Sequence, residues 1–263
     1  ILSLGLNLNS HFLSYDRTTI LLEDNSNIGS TITNIDFRNN LWTRGTGFSF
    51  QLGAIVKVTP EFRAGIVYDS PTWYSIDEET SQSVTTVEET DSNSFTTVIN
   101  PGIVNIYPRY NLQSPGRITG SLAYIIAKRG LISFDYSNTN YSKTQLSPTY
   151  DDFFADQNEV MHNTFANAST YRFGAEYKIK QISLRGGYRF EESPYANKTT
   201  VGDLTGFSFG LGCNFGSMRI DLAYDQAERS SQNSLYNLNF GTPPSANVNT
   251  KNQNFTFTLA FNI

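Results

Sequence analysis

Charged side chains recur at alternate positions within several apolar segments of the sequence. In an extended chain, such a pattern places the charged residues on one side and the apolar residues on the other. A guanidinium on the enclosed side of such a strand could form charge-assisted hydrogen bonds with a ligand carboxylate. The alternating charged residues are Arg63, Arg117, Arg172, Glu176, Lys178, Arg185, Arg189, Arg219 and Asp221. We predict that one or two of the cations bind a ligand, with Arg117, Arg185 and Arg189 the best candidates.

The same charges have a second interpretation, in which they neutralise one another. Arg172 and Glu176 could pair with Arg185 or Asp221 on neighbouring strands and form a ladder of interior ion pairs. Filling of the interior is the more common role of enclosed charges, so both interpretations stay open for each residue.

Apolar side chains suited to a hydrophobic ligand occur within the polar segment 138–168. Phe153 and Phe154 follow two aspartates there, and Met161 and Phe165 come later. The segment could fold inward as a lid, which would place Phe153 and Phe154 against the ligand. The alternative is a packing cluster within an extracellular loop.

Catalytic and metal-binding chemistry finds little support in the sequence. Of the two histidines, His11 lies near Asp16, but nothing completes a catalytic group, and His162 has no such neighbour. Zinc ligation requires clusters of histidine and cysteine that the sequence lacks. The acidic runs 77–79 and 88–91 could hold calcium or meet divalent-bridged lipopolysaccharide, although a solvated loop is the commoner role. We predict neither an enzyme nor a cofactor.

The segments that must position these residues read as strands of period two. The last of them alternates Phe255, Phe257 and Leu259 with threonine and alanine up to the final residue. Each segment has the length needed to cross a bilayer at a tilt. About ten such segments are readable, at 2–8, 48–58, 62–68, 117–126, 132–136, 171–179, 182–190, 207–215, 218–224 and 254–263.

The connections between these segments alternate strictly between short and long. Short periplasmic turns and longer extracellular loops are typical of outer-membrane barrels, whereas a soluble sandwich or propeller has no reason to keep this alternation. The short turns lie at 59–60, 128–130, 180–181 and 216–217, and the long polar segments lie at 14–44, 70–112, 138–168, 192–203 and 228–251. We predict an all-β, antiparallel, up-and-down transmembrane β-barrel that forms one domain over residues 1–263.

Composition agrees with a barrel and excludes several other classes. Aromatic residues make up 14% of the 263 residues, and charged residues only 16%, where about a quarter is typical. The net charge of −5 and the lack of a basic cluster argue against a nucleic-acid partner. The single cysteine, Cys213, excludes an internal disulfide framework.

Several motifs share the order and spacing of one known family. They are Tyr68-Asp69-Ser70-Pro71, the segment 114–124 followed by 131–136, the segments 171–177 and 184–190 with Ser193-Pro194-Tyr195, and the segments 207–212 and 220–224. Together, over roughly residues 45–263, they resemble the FadL/TodX family, the outer-membrane transporters of long-chain fatty acids and aromatic hydrocarbons.

The resemblance implies a barrel of about fourteen strands with an N-terminal hatch segment in the lumen. Because only about ten strands are readable, we expect this chain to be the C-terminal portion of such a barrel, without the hatch and the early strands. The alternative is an independent ten-stranded barrel. The implied function is passive uptake of long-chain fatty acids or other hydrophobic small molecules across the bacterial outer membrane. Membrane lipid and lipopolysaccharide would surround the barrel. The alternative is a barrel that acts as a scaffold and holds protein partners at its extracellular loops.

Overall fold

The chain folds into one antiparallel sheet, seen in a computed structural model that describes residues 1–27, 29–90, 93–234 and 244–261. A 3₁₀ turn at Tyr141–Lys143 and a helix, α1 (Asp152–Thr164), lie outside the sheet. The strands are β1 (Leu2–Asp24), β2 (Ile32–Lys57), β3 (Phe62–Asp69), β4 (Trp73–Thr90), β5 (Asn93–Ile99), β6 (Val104–Ile106), β7 (Tyr110–Gln113), β8 (Arg117–Ile126), β9 (Gly130–Asn140), β10 (Gln145–Ser147), β11 (Asn167–Ile179), β12 (Ile182–Glu191), β13 (Val201–Asn214), β14 (Met218–Ser234) and β15 (Ser245–Phe261).

Among the described residues, these strands combine into ten wall strands. Strands β3 and β4 continue one another along β2, and β5, β6, β7 and β8 continue one another along β4 and β3. Strand β10 continues β9 in the same way, because β9 pairs with β8 and β10 pairs with β7. The remaining five strands, β11 to β15, pair in simple sequence order, as β1 does with β2. The predicted up-and-down order and the ten readable strands are therefore confirmed.

Register places apolar side chains from every wall strand on the outer face. One continuous cross-strand row runs Leu122, Phe134, Phe173, Tyr188 and Phe207. A second runs Leu184, Leu211, Leu222 and Phe257. These side chains are largely exposed, with Phe257 at 63%, and an exposed apolar belt of this extent is what the lipid-facing surface of a barrel requires.

The predicted short turns are present, and three of them use a left-handed backbone, including the turn with Lys128 at φ 57°. Ile179 pairs with Ile182 across a two-residue turn in which Lys180 has φ 54°, and Gly216 has φ 91° in the turn between β13 and β14. Tight hairpin turns favour such positive φ values because they match the twist of the strands.

The long polar segments differ from the loops that the sequence predicts, because three of them are mostly strand. Strands β1 and β2 pair without a break from Leu2–Val56 to Asp24–Asn34, so residues 14–24 and 34–44 form two paired strands rather than a loop. Segments 70–112 and 228–251 also continue the sheet, although residues 91–92 and 235–243 lie outside the described part. With both faces in water, these strands need no alternation of apolar and polar residues, so their periodicity is invisible in the sequence.

Segment 138–168 carries the 3₁₀ turn and α1. The side chain of Asp151 accepts hydrogen bonds from the backbone N–H groups of Phe153 and Phe154 and so begins the helix. Asn158 binds both the backbone N–H and the C=O of Leu146, which ties α1 to β10. Within the described residues, no helix combines the length and the apolar character that crossing a membrane would require.

The assignment of an outer and an inner face predicts that an added charge has unequal effects on stability. Leu222→Arg on the apolar face should lower the free energy of unfolding in lipid vesicles by about 2–4 kcal/mol, because it places a cation in the hydrocarbon. Ala223→Arg, the next residue on the opposite face, is the matched control and should cost much less. Denaturant titration of the refolded proteins in vesicles measures both, and equal losses would contradict the assignment of the faces.

Candidate functional site

The inner face of β11 to β14 carries a compact ion-pair network centred on Arg185. Its Nε donates to Glu176 at 2.8 Å on β11, and a terminal nitrogen donates to Asp221 at 2.7 Å on β14. Arg219 also contacts Asp221 at 2.7 Å, and Lys178 lies 3.3 Å from Glu176. Because both charged sides of Arg185 are occupied, this arginine joins neighbouring strands, as the ladder interpretation expects.

A second cluster on the same wall, farther from the short turns, has more cations than carboxylates. Glu191 lies 3.5 Å from the Nε of Arg189, and terminal nitrogens of Arg172 and Arg229 lie 3.9 and 3.8 Å away. These contacts are longer than ion-pair hydrogen bonds. The Nε of Arg229 is buried and has no hydrogen-bond partner among the described residues. Three guanidiniums therefore share one carboxylate, and we call them with Glu191 the Glu191 cluster.

A groove of about 610 Å³ lies on this wall between the two ion-pair groups. Arg172 and Arg189 of the Glu191 cluster line it, as do Glu176 and Arg185 of the ion-pair network, and Asp225 is the fifth charged residue of the lining. Its volume falls within the range of small-molecule sites.

The floor of the groove depends on glycine. A Cβ at Gly187 would stand 2.6 Å from the hydroxyl of Ser208, and one at Gly174 would stand 2.7 Å from the hydroxyl of Ser133. Real Cβ atoms do not approach so closely, so larger residues there would need the neighbouring side chains to move. Small residues on adjacent strands thus create the space beside the cations.

Arg117 lies apart from the other two predicted ligand-binding arginines. It is on β8, separated from β12 by β9 and β11, and its Nε donates to the hydroxyl of Thr139 at 3.1 Å. The structure therefore brings Arg185 and Arg189 to one groove and places Arg117 beside a different cavity.

The two predicted phenylalanines lie in the first turn of α1 and have different surroundings. Phe154 packs against Tyr110, with ring centroids 5.4 Å apart. Phe153 is 65% exposed. Burial, together with the nearby Glu78 carboxylate, raises the pKa of the Tyr110 phenol above its usual value. Phe154 therefore anchors the helix, and Phe153 is left available on the outer surface.

Sequence reasoning missed two members of the Glu191 cluster. Glu191 sits at the end of β12, beyond the last clear alternation, and Arg229 lies in the segment taken for a loop. Their parity was a usable signal, since Glu191 follows Arg189 by two and Arg229 belongs to the continuing β14 register.

The remaining candidates for catalysis do not form a triad. His11 Nε2 lies 2.8 Å from the hydroxyl of Ser49, but Asp16 is bound by Arg44 at 2.5 Å and so does not orient the histidine. In the described part of the chain, no group of three or more histidine, cysteine, aspartate or glutamate side chains could hold a metal ion.

An antiparallel wall that is apolar outside and charged inside is the architecture of an outer-membrane β-barrel. The sequence model of the outer membrane protein transport protein family (OMPP1/FadL/TodX) matches residues 2–263. The chain belongs to this family, whose members carry hydrophobic compounds across the bacterial outer membrane.

Solved structures offer distant likenesses. A Pseudomonas aeruginosa FadL homologue is 13% identical with a TM-score of 0.45, and the match covers 92% of this chain and 76% of that one. OmpT, an outer membrane protein of Vibrio cholerae, is 11% identical with a TM-score of 0.37 and 97% of each chain covered. A comparison with curated proteins found no match.

The ion-pair network predicts unequal costs for two of its arginines. Arg185→Met should lower the free energy of unfolding by about 1–3 kcal/mol, because two partly buried carboxylates each lose one of their cationic partners. Arg219→Met should cost under about 1 kcal/mol, because Arg219 is 48% exposed and binds one carboxylate. Denaturant titration in lipid vesicles measures both values. A smaller cost for Arg185 than for Arg219 would show that the network does not join the strands as described.

Proposed function

We propose that this barrel passively conducts long-chain fatty acids, or other hydrophobic small molecules with an acidic head, from the cell exterior inward. The observation that carries the proposal is the Glu191 cluster, in which three guanidiniums share a single carboxylate. A ligand carboxylate there would accept charge-assisted hydrogen bonds from groups that are only loosely paired.

Arg189 and Arg172 are the residues best placed to meet the ligand head. Both line the groove, and both hold Glu191 only at 3.5 and 3.9 Å. Arg185 is the weaker candidate because Glu176 and Asp221 already occupy it. Its role in the proposal is to hold the neighbouring strands, and so the floor of the groove, in place.

Capture of the ligand would begin on the outer surface. Phe153 on α1 and Tyr150 just before it are exposed aromatic side chains next to the anchored Phe154. Such a surface can hold an apolar chain before its head reaches the lumen. Phe154 contributes by anchoring α1 on Tyr110, rather than by contacting the ligand.

The arginines make a testable contribution to affinity. Arg172→Gln combined with Arg189→Gln should weaken octanoate binding by about tenfold, because two charged donors are lost. Isothermal titration of the protein in lipid nanodiscs measures the affinity, with empty nanodiscs as the background. Arg63→Gln is the control, as a lumen-facing cation outside the groove, and should bind octanoate as the parent does. Parental affinity in the double variant would show that the Glu191 cluster does not bind the ligand carboxylate.

Uptake by cells tests the function itself. In a strain that lacks the gene, uptake of labelled long-chain fatty acid should fall and should return when the parent gene is restored. The double arginine variant should restore it only in part. Unchanged uptake in the deletion strain would exclude the transport proposal.

A second candidate function is a scaffold for protein partners at the cell surface. The observation that favours it is the length of β1, whose 23 residues would extend about 75 Å, well beyond a hydrocarbon core of about 30 Å. A deletion strain with normal uptake but altered surface protein composition would support this alternative.

A further inference from the structure

Two neighbouring wall strands are interrupted at the same level of the barrel. Residues 70–72 separate β3 from β4, and residues 114–116 separate β7 from β8. Each interruption contains a proline, which cannot donate to the strand ladder. A Cβ at Gly116 would lie 2.9 Å from the backbone oxygen of Asp69 and 3.2 Å from the ring of Pro71, so the close approach of the two breaks requires glycine.

The interruptions are held firmly by hydrogen bonds. The backbone N–H of Ser114 donates to the C=O of Thr72 at 2.9 Å, and the N–H of Thr72 donates to the Ser114 hydroxyl at 3.1 Å. The Ser70 hydroxyl accepts from the N–H of Phe50 at 2.9 Å and donates to the C=O of Pro71 at 2.8 Å. The two interruptions are therefore ordered by specific hydrogen bonds.

A polar cavity of about 360 Å³ adjoins these breaks and is separate from the groove at the Glu191 cluster. Its lumen-facing lining comes from five wall strands, which contribute Asn9, His11, Ser49, Gln51, Asp69, Arg117 and Thr139. His11 and Ser49 form a hydrogen bond with one another at 2.8 Å. The charged residues of this lining are Asp69 and Arg117.

Asp69 and Arg117 face one another in register but do not pair. They are Cα partners between β3 and β8, yet no ion pair joins them within the described residues. Arg117 instead donates to Thr139, and its terminal nitrogens make no hydrogen bond to any described residue. Oδ1 of Asp69 is covered from solvent and has no hydrogen-bond partner in the described part of the chain. No described donor binds the other oxygen, Oδ2, either, so this carboxylate lines the cavity without a hydrogen-bond partner in the described part of the chain.

We propose that this cavity binds the hydroxyl head of neutral amphiphiles, the class of aliphatic alcohols and alkylphenols. A hydroxyl can donate to Asp69 while it accepts from Arg117, so one small group satisfies both. The Asp69 carboxylate can present either oxygen, because rotation about its Cβ–Cγ bond is broad. A carboxylate head would be repelled by Asp69, and an ammonium head would be repelled by Arg117. The barrel thus has separate sites for neutral and acidic heads.

Binding of 1-octanol and octanoate to the protein in lipid nanodiscs tests the proposal. Asp69→Leu should weaken 1-octanol binding by about tenfold, because the charged acceptor is lost, and should leave octanoate binding unchanged. Arg172→Gln combined with Arg189→Gln should do the reverse. The matched control is Asp135→Leu, which removes a lumen-facing carboxylate from outside the cavity and should leave 1-octanol binding as in the parent.

Each outcome decides the proposal. Failure of the parent to bind 1-octanol, or equal binding by the parent and Asp69→Leu, would overturn it whatever octanoate does. If Asp69→Leu fails to refold, Asp69→Asn keeps the shape of the side chain and loses its charge. It should weaken 1-octanol binding by about threefold or more, and parental affinity in this variant would overturn the proposal. Because octanoate is measured in parallel, a failure of the alcohol site is distinguishable from a failure of the carboxylate site.

Discussion

Backbone hydrogen bonding between neighbouring strands is the constraint on which the rest of this structure depends. Within the hydrocarbon of a bilayer there is no water to satisfy an unpaired N–H or C=O, so a spanning sheet must pair each strand with the next. Pairing fixes register, and a register of period two sends alternate side chains to opposite faces. The row from Leu122 to Phe207 and the charges of β11 to β14 are two results of that single constraint.

Once the inner face is enclosed, its charges serve two different purposes. Arg185, between Glu176 and Asp221, shows charges matched across strands, where its removal would leave each carboxylate with a single cationic partner, Lys178 or Arg219. The Glu191 cluster and the pair Asp69 and Arg117 show charges left without a complete set of partners. Incomplete pairing has a cost to stability, and these are the two places where we propose that a ligand contributes the missing interaction.

Sequence periodicity predicted most of the wall and only part of the site. The lipid-facing rows, the short turns and the position of Arg185 and Arg189 on one inner face all follow from parity, because apolar alternation is strong wherever lipid covers one side. The sequence predicted loops for the later part of β1, the first part of β2 and all of β4, since both faces of these segments meet water and Thr85, Thr86 and similar residues show no alternation. Parity could not predict the ion pairs themselves. It placed Arg117 and Arg185 on the same face, but it could not show that Arg185 binds two carboxylates or that Asp69 has no partner among the described residues.

The central claim is that the lumen holds the acidic head of a hydrophobic ligand at the Glu191 cluster. The most direct measurement is an experimental structure of the protein with octanoate bound. The account predicts elongated density along the groove, with its carboxylate within hydrogen-bond distance of Arg189 or Arg172. A groove filled by protein side chains, or octanoate bound only outside the lumen, would contradict it.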